Sequence, residues 1–325
     1  MEYSDNYTKE EKKQLAKDKV EKALAKIKAD VVSVFDNSTF PDYLKFAANL
    51  HYFDVNNTLL IYKQRPDAVF LASFRVWEKL SAEYWGDANH SVFASSQKGK
   101  GIGILAPYIL KKTLDKTSGQ KSLGISYLDY HVVFVFDQTQ TNNIPAPTTA
   151  WDISSKAADG AALFAAFKEK APFDIVFSPE GKAPQRYLYE NKLPPEKDSL
   201  ILNFKDKNDY YLLCSYVIKP FVLHSLKNTL KSHSDADIQK ICECTSFMVA
   251  NYFGLPTNEY IFFFIEQWGE NNPKKELEIL KVVQGAAHWL IDTLEDEMLF
   301  YKSTYETEDF FDNNDIFEFN ASFGF

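Results

Sequence analysis

One stretch, residues 51–107, restricts the possible fold more than any other part of this 325-residue chain. An apolar run follows two asparagines and stops at Arg65-Pro66, because proline disfavours a helical residue before it. A short strand, a helical turn with Trp77 and a polar insert over residues 81–97 come next. The stretch ends on alternating glycines and lysines and then on a strand-like run. A domain in which helix packs on sheet is therefore predicted.

The same stretch mixes cations with aromatic rings. Lysine and arginine bind phosphates, whereas unpaired bases stack on flat rings, so this mixture favours single-stranded nucleic acid. The residues predicted to contact DNA are Asn56, Asn57, Tyr62, Lys63, Arg65, Phe74, Arg75, Trp77, Lys79, Lys98 and Lys100. Structural roles are the alternative for some of them. Phe74 and Trp77 also suit a core, and the two asparagines also suit capping or cross-linking a helix.

Charge is distributed unevenly along the chain, whose formal net charge is −9. Residues 1–150 hold 19 lysines and arginines against 17 acids, a net of +2, while the remaining residues hold 17 against 28, a net of −11. Phosphate contacts are therefore expected in the first part. A net of +2 predicts a local, salt-sensitive groove rather than a general binder of polyanions.

The cysteines and the lengths of the apolar runs indicate in which cellular compartment the protein is expected. Cys214, Cys242 and Cys244 are an odd number with an i, i+2 pair, which argues against a disulfide framework and for a reducing cytoplasm. No run approaches the roughly 20 apolar residues of a membrane span. The chain starts with polar and charged residues rather than a signal peptide. We expect a cytoplasmic protein with no membrane partner.

Periodicity predicts an α+β fold, a mixed α/β N-terminal part followed by a mainly helical part with a small sheet. Helices are predicted at residues 8–35, 41–64, 157–171, 207–231 (interrupted at Pro220), 235–253 and 274–302. Strands are predicted at residues 68–72, 101–110, 125–136, 173–177 and 200–204. The first helix is expected to pack by its apolar face, with DNA contact by its lysines as the alternative. Residues 138–150 contain two prolines among polar residues and indicate a linker.

The order of motifs resembles a known family. The run aromatic-x-x-Asn-Asn-x-Leu-Leu-Ile-x-x-Gln-x-Pro-x-Ala is followed by Phe-x-x-Trp and by Lys-Gly-x-Gly-Ile-x-Ile-Leu-Ala-Pro. This order is similar to the N-terminal domain of the ArdC/LtrC-like antirestriction proteins of bacterial plasmids, integrative elements and phages. Members of that family join a single-stranded-DNA-binding domain to a zincin-type metalloprotease-like domain. The resemblance implies a DNA-binding domain at 1–140, a linker at 141–150, a zincin-like domain at 151–302 and an acidic tail at 303–325.

The resemblance also implies where a protease site would lie. The family carries HExxH on a helix, and a catalytic zinc needs three protein ligands and a base. Here His224 matches the first histidine, Ser225 replaces the glutamate, Asn228 replaces the second histidine and Glu243 matches a later glutamate. We therefore predict a degenerate site without metal, cofactor or catalytic residues, so that the protein is not an enzyme.

Two functions remain open. The first is a sequence-independent single-stranded-DNA-binding protein of antirestriction type, acting in the cytoplasm of a bacterial host. The alternative is a protein-interaction module or inhibitor, whose acidic half and tail engage a host defence or replication protein or mimic nucleic acid. Residues 303–325 alternate acids with phenylalanines, and either a solvated tail or a docked peptide fits that pattern. An active metalloprotease conflicts with the lost residues.

Overall fold

The computed structural model describes residues 8–34, 39–86, 91–93, 97, 99–112, 125–145, 157–178, 199–257 and 272–305. Its helices are α1 (Lys9–Val34), α2 (Phe40–Asn49), α3 (Val55–Gln64), α4 (Phe74–Trp85), α5 (Ala157–Lys170), α6 (Tyr210–Ser225), α7 (Lys227–Leu230), α8 (Asp235–Tyr252) and α9 (Pro273–Tyr305). Its strands are β1 (Leu71–Ala72), β2 (Ile102–Lys112), β3 (Ile125–Asp137), β4 (Asp174–Ser178) and β5 (Ser199–Asn203). The predicted α+β class is confirmed.

The chain divides into two compact units. Among the described residues, unit 1 comprises those up to 145 together with 272–277, and unit 2 comprises 157–257 together with 278–305. None of the described helices combines the length and apolar composition that crossing a membrane requires. The functions assigned to the domains from the sequence remain predictions.

Unit 1 is built around a three-stranded sheet in the order β1-β3-β2. Both pairings are antiparallel, with Leu71 opposite Asp137 and Ile102 opposite Val135. Cross-strand partners share a face of the sheet, so Ile102 and Val135 enter one core cluster. The buried members of that cluster come from α2, α3, the sheet and two connecting segments, and are Phe46, Leu50, Ile61, Ala68, Leu71, Ile102, Ile104 and Val135. The burial of this face fixes α2 and α3 against the sheet.

The prediction of a single helix over residues 41–64 was wrong, because the structure has two helices there. α2 ends at Asn49 and α3 begins only at Val55. Asp54 starts the second helix, since its side chain accepts a hydrogen bond from the Asn57 backbone N–H at 3.0 Å. A capping side chain of this kind satisfies a backbone donor that the helix itself leaves unpaired.

Residues 138–145, the start of the predicted linker, pack onto unit 1. A 3-10 turn at Gln138–Gln140 follows β3 and is closed by a capping box with Asp137. Gln140 and Ile144 are buried. Residues 146–150 lie outside the described residues.

Unit 2 packs helices α5, α6, α8 and α9 with a two-stranded parallel sheet of β4 and β5. The predicted interruption at Pro220 was wrong, because α6 runs through it. Proline removes a helical hydrogen bond and costs about 3 kcal/mol or more in a helix interior. The residues on both sides of it, Val217, Ile218, Phe221 and Val222, are fully buried. Their burial offsets the cost of the proline.

Candidate nucleic-acid interface

Helix α3 closes the free edge of β2 with two amide side chains. Asn57 Oδ1 accepts from the Leu105 N–H at 2.7 Å, and Asn57 Nδ2 donates to the Leu105 carbonyl at 2.9 Å. Gln64 repeats the pattern at Gly103, with distances of 3.0 Å to the N–H and 2.9 Å to the carbonyl. These four bonds occupy the groups that a further strand would pair. The DNA contact predicted for Asn57 is therefore corrected, since its amide is buried and bonded to β2.

Trp77 likewise belongs to the core of unit 1 and not to its surface. It is 0% exposed, and its indole N–H donates to the Phe136 carbonyl at 2.8 Å. The Phe70 ring packs edge-on against it at 5.5 Å. An indole enclosed in this way offers no face to a base. The predicted stacking role of Trp77 is therefore corrected to a structural one.

Arg65 and Tyr62 are partly used inside unit 1. The Arg65 guanidinium donates through Nη2 to Thr139 Oγ1 at 2.8 Å, and its Nε lies 3.7 Å from an Asp67 oxygen. The Tyr62 ring is half-buried, with ring centres 5.4 Å from Tyr43 and 5.0 Å from Phe46. Burial raises the pKa of the Tyr62 hydroxyl, and the charge of Asp42 adds to this shift. Both side chains reach the surface only in part.

The other residues that were predicted to contact DNA differ in how far their side chains are exposed. The exposed cations are Lys63, Arg75, Lys79 and Lys100. Lys79 lies 3.6 Å from Glu83, one turn further along α4. Phe74 is 45% exposed beside Arg75, and Asn56 is half-buried on α3. Lys98 lies outside the described residues.

Unit 1 also contains a row of aromatic rings, formed by Phe134, Phe136, Phe93 and Phe74. Phe134 is 56% exposed in β3, opposite Gly103 of β2. The rings of Phe136 and Phe93 are 4.3 Å apart with planes tilted by 35°. Phe93 in turn lies 5.6 Å from Phe74. Exposed aromatic surface next to exposed cations is the arrangement that single-stranded nucleic acids use.

The four positions predicted to be a degenerate metal site do not come together as a set of zinc ligands in the described part of the chain. The Glu243 carboxylate, on α8, lies 3.1 Å from the ammonium of Lys219 on α6. His224 packs against the Phe173 ring with centres 4.8 Å apart, α6 ends at Ser225, and Asn228 is exposed on the separate helix α7. In the described part of the chain, no cluster of three potential ligands includes His224 or Glu243. An ammonium on the carboxylate opposes cation binding there.

The solved structures that resemble this chain include two of the antirestriction protein ArdC from plasmid R388. The metal-free structure is 16% identical over 76% of this chain and 86% of that one, with a TM-score of 0.46. The Mn(II)-bound structure is 15% identical over 84% of this chain and 97% of that one, with a TM-score of 0.43. The family named from the sequence is thus also the family of these structural neighbours. No family model matches the chain, and no curated protein matches it.

Sequence reasoning missed most of the ring row. Phe93 lies inside the stretch 51–107 but in its polar insert, and Phe134 and Phe136 lie in a strand whose aromatics were attributed to strand propensity. One signal was present: Gly101 leaves room for large rings on the neighbouring strand. A glycine inside a strand often marks such a close approach. The partner of this glycine could not be known without the register of β2 and β3.

Proposed function

We propose that this chain is a sequence-independent single-stranded-DNA-binding protein of antirestriction type, carried by a bacterial mobile element or phage. Unit 1 binds the strand, and its phosphates are held by the exposed cations Lys63, Arg75, Lys79 and Lys100. The observation that carries the proposal is that Phe74 and Arg75 are adjacent at the start of α4 and both exposed. A ring for a base and a cation for a phosphate thus occur together. The motif order of residues 51–107 supports the same assignment.

Unit 2 is proposed to be a zincin-like domain without peptidase activity. Ser225 offers no carboxylate for a general base, and Lys219 neutralises Glu243. Zinc analysis of the purified protein tests this. Stoichiometric zinc that is lost in His224→Ala would contradict it.

The binding experiment uses the full chain and fluorescence anisotropy with labelled single- and double-stranded 20-mers at low salt. Tighter binding to the single strand is expected, together with weaker binding in Arg75→Gln and in Lys100→Gln, each of which removes one positive charge. Lys231→Gln, an exposed cation of unit 2, is the matched control and is expected to bind like wild type. Equal loss in control and test variants would mean that binding follows overall charge and has no site in unit 1.

A protein-interaction role for the acidic half is the second candidate. Trp289, Leu299 and Phe300 on α9 are 51%, 57% and 63% exposed. Exposed large apolar side chains are common at protein interfaces. If neither oligonucleotide binds at low salt, this second candidate replaces the first.

A further inference from the structure

We infer that the face of the β2–β3 pair around Phe134 is a base-stacking platform, and that its ligand is the unpaired bases of single-stranded DNA. This inference rests on the proposed function and adds the place and residues at which the bases are held. The sequence-based set of DNA contacts contains none of the β3 residues that form it.

The face around Phe134 is shaped by the close approach of phenylalanine rings to β2 and the glycine before it. A methyl group added to Gly101 would lie 3.0 Å from Phe134 Cβ and 3.2 Å from Phe136 Cζ. On Gly103 it would lie 3.5 Å from Val132 Cγ1 and 3.7 Å from Phe134 Cε1. Gly101 therefore lets the Phe134 and Phe136 rings lie closer to the backbone that leads into β2 than a Cβ would allow, whereas the distances at Gly103 are those of ordinary contact. A glycine in a strand and an exposed phenylalanine are each unfavourable for folding alone. A ligand that uses the flat surface explains why both occur on one face.

The backbone that carries Phe134 is held by hydrogen bonds and packing on both sides. Trp77 is fully buried, bonds the Phe136 carbonyl at 2.8 Å and packs in one cluster with Phe136 and Phe93. The opposite edge of β2 is fixed by the Asn57 and Gln64 amides at 2.7–3.0 Å. The backbone at Phe134 is therefore fixed from both sides of the strand pair. A fixed backbone lowers the conformational entropy that is lost when a base stacks on the ring.

Two exposed cations are sequence neighbours of residues at the two ends of the ring row. Lys100 precedes Gly101 and is exposed, and Arg75 follows Phe74 and is exposed. Lys100 is thus the sequence neighbour of the glycine that Phe134 approaches, and Arg75 is the sequence neighbour of Phe74 at the other end of the ring row. A ligand with flat apolar groups joined by anions fits this pattern. In a duplex both faces of each base are already stacked, so an exposed ring selects for unpaired bases.

The experiment compares binding of the full chain to labelled dT20 and to an abasic strand of the same length, which keeps the phosphates and lacks the bases. Wild type is expected to bind dT20 more tightly. Phe134→Leu keeps an apolar side chain but removes the ring, and is expected to weaken dT20 binding roughly tenfold while abasic binding stays unchanged. Phe134→Tyr restores the affinity. Tyr84→Leu, which removes an equally exposed ring (54%) outside the row, is the matched control and leaves both affinities unchanged.

The outcomes separate this inference from the proposed function. If wild type binds neither strand, the proposed function fails and the platform with it. If wild type prefers dT20 but Phe134→Leu does not weaken it, or weakens both strands equally, the function stands and the platform is overturned. If Phe134→Leu fails to fold, Phe134→Trp keeps a ring, and quenching of the added indole fluorescence by dT20 but not by the abasic strand decides the question.

Discussion

Cys242 lies on α8 directly before Glu243. Burial and the negative charge of Glu243 raise the pKa of its thiol to about 12. Cys214 and Cys244 are fully buried, and burial raises the pKa of both. The thiolate is the form that reacts or binds metal. Cys214 and Cys244 therefore behave as small apolar groups of the core, whereas the Cys242 side chain is half-buried.

At the residue scale we predict slow thiol chemistry in the folded chain. At pH 8 the reaction of all three cysteines with iodoacetamide should be at least about 100-fold slower than that of free cysteine, whose pKa is about 8.5. In urea all three should react. The measurement is mass spectrometry of the alkylated protein over time. A thiol that reacts rapidly in the native protein would show that its side chain is open to solvent.

The raised pKa values of the three thiols also predict how the stability of the fold depends on pH. Below about pH 8 both folded and unfolded thiols hold their protons, so they add no pH dependence. Above this the unfolded chain releases protons that the folded chain retains, so stability falls as pH rises. Urea midpoints at pH 7, 8 and 9.5 measure the fall. Cys242→Ala is expected to make it shallower, and an unchanged slope would mean that other groups cause it.

At the element scale, the contact between α3 and β2 is unusual in using side-chain amides as a substitute for a strand. Asn57 and Gln64 are seven residues apart on the helix, and they bond Leu105 and Gly103, two residues apart on the strand. An exposed strand edge invites pairing with another chain. The amides close this edge and fix the angle of α3 against the sheet.

Hydrogen exchange tests this edge one amide at a time. In wild type the N–H groups of Leu105 and Gly103 should be protected. Asn57→Ala should lose protection at Leu105 first, and Gln64→Ala at Gly103 first. Asn57→Ala should also lower stability by about 2 kcal/mol, because it leaves a buried donor and acceptor unpaired. Asn56→Ala, on the same helical turn, is the control, with a change of about 0.5 kcal/mol or less. Uniform loss of protection in both variants would contradict separate roles.

The ion pair between α6 and α8 gives a second prediction at this scale. Lys219 and Glu243 have side chains that are 38% and 23% exposed, and 3.1 Å separates the charged atoms. A partly exposed pair contributes about 0.5–1 kcal/mol. A double-mutant cycle of Lys219→Met and Glu243→Gln, followed by urea unfolding, should give a coupling energy of this size. Zero coupling would mean that the pair does not hold the two helices together.

For the whole molecule, the uneven charge matters more than its total. The net −9 would repel DNA, yet residues 1–150 carry a net of +2. Binding through unit 1 should therefore depend on salt according to the number of cations in contact and not on total charge.

Four exposed cations set the expected salt dependence. Each phosphate contact with a single strand contributes a slope of roughly −0.7, so the log–log plot of affinity against salt should have a slope near −3 at most. Arg75→Gln should make the slope shallower by about 0.7, and Lys231→Gln should leave it unchanged. Anisotropy titrations from about 50 to 200 mM salt measure it. A slope far steeper than −3 would mean that cations beyond these four take part.

The sequence by itself determined the α+β class, most helix and strand positions and the exposed cations of residues 51–107, because periodicity, proline stops and charge are local properties. It could not separate Asn56 from Asn57 or Phe74 from Trp77, because adjacent or similar residues differ only in what the fold places against them. Only the tertiary structure decided that Asn57 and Trp77 are internal supports. It also placed Phe134 over two glycines, because the register of paired strands brings together residues about 30 positions apart.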